Sequence, residues 1–221
     1  KRGRGIAGFF IRKAIASADA IISPGASFQN IFLEKEGFDP KKNYFIPHGI
    51  DKDYYANRPL GPRIINGRYI ISLGRDLGRD YLTLLKAVEK TNIPTVIGAL
   101  KRNFPEGTVF PLNVCVDFFP REKISTILHD AEFVVVPVFN EDTMKGSDFC
   151  GQFSILEAMM AGKAIVTSTF SDAIIPEING IVVSPEDPIA LQKAILRLWN
   201  NPEEARHMGK LNAEKAGELL N

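Results

Sequence analysis

The sequence predicts an α/β protein: a doubly wound parallel sheet, with a small remnant of a second α/β domain ahead of it. Three observations carry this. From residue 69 onward short apolar runs alternate with helical patterns. Those runs are continuously apolar, as strands buried on both faces must be. And residues 47–67, with three prolines, three glycines and little periodicity, read as a linker between two differently patterned regions.

In order, residues 5–18 space Ile6, Phe9, Phe10, Ile15 and Ala18 along one helical face. Residues 20–23 form a short strand closed by Pro24-Gly25, a helix covers about 26–36, and 44–46 form another strand. After the linker come a strand at 69–73, a helix at 81–89, strands at 94–97 and 114–117, a helix at 122–130 and a strand at 133–136. Gly151 then allows a tight turn into a strongly apolar helix, which Gly162 stops before a core strand at 164–166. A strand at 181–183, an amphipathic helix at 188–199 and a last helix opening on Pro202 complete the pattern. The expected division is 1–46, linker 47–67, main domain 68–200 and terminal helix 201–221.

With 45% hydrophobic and 24% charged residues the chain is ordinary globular material. Its 27 basic and 26 acidic side chains give no reason to expect nucleic-acid binding. Cys115 and Cys150 match neither a disulfide framework nor a metal spacing, which points to a reducing, cytoplasmic compartment and no metal. No run approaches the roughly 18 apolar residues of a membrane span. The basic start, with Lys1, Arg2, Arg4, Arg12 and Lys13, reads as peripheral contact with anionic lipid, or as a solvated face or docking surface for further chain. Opening on Lys1, the sequence is expected to be a piece of something longer.

Ligands of such sheets bind at the carboxyl ends of the strands. Loop 74–80 holds Gly74, Arg75 and Arg79, suited to a diphosphate by close backbone approach and bidentate hydrogen bonds. The alternative is that Arg75 pairs with Asp76 or Asp80 and only stitches the loop. Loop 137–152 is long and carries Glu141, Asp142, Lys145 and Asp148, with the amides of Gly151, Gln152 and Phe153 at a helix start. Glu157 is the lone acid of an apolar helix: either a ligand hydroxyl compensates its burial, or it caps the first turn at the surface. The scattered His48, His129 and His207 have no partner at a catalytic spacing, and no G-x-S-x-G elbow occurs.

Four segments together resemble one family. Ile46-Pro47-His48-Gly49-Ile50-Asp51 is similar to a "V-P-N-G-V-D" junction, and Leu73-Gly74-Arg75 with Arg79 to "G-R…K-G". Ile155-Leu156-Glu157-Ala158-Met159 with Gly162 resembles "L-E-A-M-A-x-G-x-P-V-V", and Ile178-Asn179-Gly180 with Ile181-Val182-Val183 and Pro185 resembles "N-G-x-L-V-x-P". In order, they resemble the motifs of the GT-B glycosyltransferases with two facing Rossmann-like domains, specifically retaining family 4.

The resemblance implies a nucleotide-diphosphate sugar donor, a glycan or lipid-linked acceptor held by a missing N-terminal domain, and transfer without metal or other cofactor. It implies that residues 1–46 close the acceptor-side domain and that the last helix packs back towards it. It gives Arg75 and Arg79 to the diphosphate, Glu157 to the ribose hydroxyls, amides of Gly151, Gln152 and Phe153 to phosphate or sugar, and Asp117 with Phe118 to the base. Two departures stand out. Arg79-Asp80 replaces Lys-Gly, and the first acid of the family's Glu-x7-Glu pair is Phe149, with Asp148 beside it as the substitute. A non-catalytic nucleotide-sugar-binding domain and a GT-B epimerase are the alternative readings, and this chain alone is expected not to turn over.

Overall fold

In the computed structural model, residues 6–23, 39–46, 48–51, 54–55, 61–140, 150–169 and 171–219 are described. The chain divides into two compact units, Lys1–Gly49 and Ile50–Asn221. In the first, helix α1 (Ile6–Ser17) precedes strand β1 (Ile21–Ser23), which pairs in parallel with β2 (Asn43–Phe45). Asp39 opens the turn Pro40–Lys42 by accepting the amide of Lys41 at 3.0 Å. Ile6, Phe9 and Phe10 are exposed, so the apolar face of α1 is not covered by described residues of its own unit. The helix expected near 26–36 lies outside the described residues.

The second unit is built on a six-stranded, all-parallel sheet. Its strands are β3 (Ile70–Leu73), β4 (Thr95–Gly98), β5 (Val114–Asp117), β6 (Phe133–Val136), β7 (Ala164–Thr167) and β8 (Gly180–Val182). Their order is β5-β4-β3-β6-β7-β8, the doubly wound order of a Rossmann-like sheet. The central strands β3, β6 and β7 are buried throughout, as their unbroken apolar runs require. The edge strand β5 alternates between half-buried and exposed positions instead.

Side chains alternate across the pleat, and each face builds one core. Ile70, Ile97, Phe133, Val135 and Val166 meet helices α2 (Tyr81–Val88) and α5 (Pro188–Asn200). On the opposite face Ile71, Val96, Val134, Val136 and Ile165 meet α3 (Arg121–Asp130) and α4 (Gln152–Met160). The terminal helix α6 (Pro202–Leu219) packs on α4, β7 and α5. Local chemistry fixes the helix starts. Asp80 accepts the amide of Thr83 at 3.0 Å ahead of α2, and Asp187 accepts those of Ile189 and Ala190 ahead of α5, where Pro188 takes the first position.

Strands β3 and β6 are neighbours whose onward connections wind in opposite directions. The loops leaving them are joined: Asp80 donates its amide to Pro137 O at 3.1 Å, and Phe139 to Gly78 O at 3.0 Å. This junction is the topological switch point, where sheets of this kind open a crevice.

Candidate functional site

A cavity of about 600 Å³ opens at the carboxyl ends of β3 and β4, between α3 and α4. The loop after β3 supplies Gly74 and Arg75, the segment after β5 supplies Phe118 and Arg121, and α4 supplies Phe153, Ser154 and Glu157.

Gly151 sets the α4 wall. It is the N-cap, with a left-handed backbone at φ 92°, and a Cβ there would lie 2.9 Å from Val136 Cγ1. Only glycine meets both demands, so the helix start sits directly on the end of β6. Ser154, in the first turn, donates its hydroxyl to Leu73 O at 2.8 Å and ties α4 to the end of β3.

Arg79 occupies a position that its sequence setting did not reveal. It is 3% exposed, and its Nη2 donates at 2.5 Å to both Leu73 O and Ser154 Oγ. A Cβ on Gly74 would lie 2.4 Å from Arg79 Nε, so the glycine makes room for the guanidinium. Arg79 therefore stands behind the cavity wall, not on it, and its buried Nη1 has no hydrogen-bond partner among the described residues.

Arg75 points the other way. It is exposed, its guanidinium carbon lies 5.5 Å from the centre of the Phe118 ring, and among the described residues it makes no ion pair. The acids suggested as its stitching partners are engaged locally. Asp76 accepts the amide of Gly78 at 2.7 Å, and Asp80 caps α2. Arg121, the first residue of α3, adds a second cation to the wall.

Glu157 belongs to the second turn of α4, so it is not a first-turn cap. Burial holds its carboxyl above the usual carboxylate range, while the hydroxyl of Tyr55 and the charges of Arg79 and Arg121 pull the other way. Tyr55 donates to Glu157 Oε1 at 3.0 Å.

The cavity thus gathers Gly74, Arg75, Phe118, Phe153 and Glu157 from the sequence expectations. Asp117, Gly151 and Gln152 lie beside it without lining it, and Asp117 accepts the amide of Phe118 at 2.7 Å. Asp148 and Phe149 lie outside the described residues. Sequence reasoning missed Arg121, Ser154 and Tyr55. Arg121 opens α3 just after the segment that follows β5, where strand-end position was the available signal; nothing local pointed to Tyr55. Cys150 is no nucleophile, because burial pushes its thiol up to about 12. Among the described residues no group of three His, Cys, Asp or Glu is placed to hold a metal, and no helix is long and apolar enough to cross a membrane.

The family model for Glycosyl transferases group 1 matches residues 95–201. A D-rhamnosyltransferase, WbpZ of Pseudomonas aeruginosa, is 28% identical over 194 residues, covering 79% of this chain and 48% of that protein. The chain therefore spans about half the length of this curated relative. Among solved structures, Anabaena Alr3699/HepE in complex with UDP-glucose superimposes with a TM-score of 0.74 at 15% identity, over 94% of this chain and 61% of that one. WaaG, a glycosyltransferase involved in lipopolysaccharide biosynthesis, gives 0.73 at 16% identity, over 97% and 62%. At these identities the structures speak to the fold.

Proposed function

We propose that the chain, whose residues 95–201 match the family model for Glycosyl transferases group 1 and whose fold is that of GT-B glycosyltransferase structures, is the donor-binding part of an enzyme of glycan synthesis. The enzyme transfers a sugar from a nucleotide-diphosphate donor to an acceptor hydroxyl. The observation that carries this reading is the cavity at the switch point, which places two arginines, an exposed phenylalanine and a half-buried carboxylate on one wall system. That set matches the parts of a nucleotide sugar: cations for the diphosphate, a ring for the base, an acceptor for ribose hydroxyls.

In this reading Arg75 and Arg121 flank the diphosphate, and Arg79 adds its positive charge from behind the wall, beneath Gly74 and Ser154. As the bond between the sugar carbon and the diphosphate oxygen breaks, negative charge grows on the leaving group, and fixed cations at a helix start stabilise it. Glu157 accepts ribose hydroxyls, Phe118 and the neighbouring Asp117 backbone hold the base, and the amides of Gly151, Gln152 and Phe153 face phosphate or sugar. Asp148 takes the place of the acid next to the donor sugar. The first unit closes an acceptor-side domain, and the acceptor is a glycan or lipid-linked sugar handled in the cytoplasm. A hexose or deoxyhexose donor is favoured by the relatives, one named a D-rhamnosyltransferase and another bound to UDP-glucose.

Thermal shifts with UDP, GDP, ADP and their sugars test the reading. A ligand at ~100 times its dissociation constant adds about 2.7 kcal/mol. One base should raise Tm, and Arg75→Ala and Glu157→Ala should cut that rise, by about half for each tenfold loss of affinity. Stabilisation by no nucleotide, or by all of them equally in wild type and both variants, would sink the proposal.

A further inference from the structure

Glu157 receives its one hydrogen bond among the described residues from a side chain 102 positions earlier in the chain. Asp51 accepts the amide of Tyr54 at 2.9 Å and so starts the helical turn that carries Tyr54 and Tyr55. The two rings meet edge to face at 5.1 Å. Tyr54 donates its hydroxyl to the carbonyl of Arg121 at 2.8 Å, and its ring lies 5.9 Å from the Arg121 guanidinium carbon. The turn is thereby fastened to the start of α3, and Tyr55 is delivered to the cavity's acid at Oε1. Oε2 makes no hydrogen bond to a described residue, and Glu157 lines the cavity.

Resting on the donor-site reading above, we propose that Tyr55 is a positioning residue of this site: its hydroxyl clamps one oxygen of Glu157 so that the other is presented, ionised, to the ribose hydroxyls. A carboxylate on a helix's apolar side could otherwise turn to either of several rotamers or take up a proton. The groups facing Glu157 are Tyr55 from the turn, Arg79 from the loop after β3, and Arg121 from α3. All three favour the ionised form, against burial. Tyr55 is itself no competitor for the proton, since burial and Glu157 both drive its phenol well above its ordinary range. The Asp51 of the junction motif thus acquires a role in the donor site, through the turn it starts.

The test uses the full chain as wild type, Tyr55→Phe, Glu157→Gln and the double variant. The Glu157 side-chain carboxyl is titrated by carbon NMR without ligand, and UDP and GDP affinities are measured calorimetrically between pH 5 and 8. The ring of Tyr55→Phe keeps its packing, so an unchanged Tm excludes unfolding as the cause. The expected result is a higher Glu157 pKa in Tyr55→Phe, and affinity weakened about tenfold at neutral pH, as for a hydrogen bond to a charged group. The loss should deepen as pH falls, with the midpoint moved upward, and Tyr55→Phe should add nothing to Glu157→Gln. An unmoved Glu157 titration, or equal and additive losses at every pH, would overturn the role of Tyr55. A moved titration with affinity indifferent to Glu157→Gln would instead overturn the donor-site reading and, with it, the positioning role.

Discussion

Two polar centres of the second unit, buried Asn179 and half-buried Glu157, come from equally suggestive sequence motifs and end in opposite conditions. Asn179 is 2% exposed and fully occupied. Its Oδ1 accepts the amide of Ile175 at 2.7 Å, its Nδ2 donates to Ala173 O at 3.0 Å, and its carbonyl accepts Nδ2 of Asn212 at 2.7 Å. It folds the turn before β8 and fixes α6 to that turn. Among the described residues the Glu157 carboxylate has one hydrogen bond, and burial opposes its charge. A neutral group with its valences filled stabilises a fold; a charged group left half satisfied stores capacity for a ligand. The motif with Asn179 serves the fold, and the motif with Glu157 lines the cavity.

The sharpest way to break this comparison is Asn179→Ala. Leaving the Ile175 amide and the Ala173 carbonyl short of the partners that the Asn179 side chain supplies should cost about 2–3 kcal/mol. At roughly 2–4 °C per kcal/mol for a unit of this size, Tm should fall visibly in a melt. Nucleotide affinity of the folded protein should stay the same; a binding loss at constant stability would return Asn179 to the site.

Arg75→Ala should do the reverse. The exposed guanidinium makes no ion pair among the described residues, so stability should hold within about 0.5 kcal/mol. Nucleotide affinity should drop about tenfold, the worth of a charge-assisted hydrogen bond or two. Because the contact is ionic, that loss should shrink as salt rises. Calorimetry at two ionic strengths decides this, and an undiminished affinity would move the diphosphate elsewhere.

The smallest effect concerns Glu157→Gln in the ligand-free protein. Burial raises the folded-state pKa of Glu157 above its unfolded value, so the native state holds the proton more tightly. Stability from this group is therefore present at low pH and fades as pH rises through the folded pKa. Glutamine, neutral throughout and still able to accept from Tyr55, should remove that loss and raise Tm at pH 7 but not at pH 4. A variant that melts lower at pH 7 would mean that the carboxylate stabilises the free fold.

The comparison also separates what was legible in the chain. The expected elements of the sheet domain fall within a residue or so of the observed ones, because their signals are local. Continuous runs such as Phe133–Val136 and caps such as Asp80 and Asp187-Pro188 act over a few residues. Gly74, Arg75 and Glu157 could be singled out for the same reason, as unusual residues at strand ends or on an apolar helix. Arg79 shows the limit. In sequence it is the twin of Arg75, yet one guanidinium lies over Phe118 at the surface and the other is stapled beneath Gly74.

By itself, then, the sequence determined the alternation of strand and helix, the caps and breaks, and a set of motifs that resembles that of the GT-B glycosyltransferases. Tertiary structure alone decided the strand order β5-β4-β3-β6-β7-β8, the place of the switch-point cavity, which arginine reaches it and which tyrosine holds its acid. The physical reason is range. Propensity, capping and periodicity are interactions between near neighbours, whereas Tyr55 with Glu157 and Arg79 with Ser154 are joined by contacts across 102 and 75 positions, which no local pattern encodes.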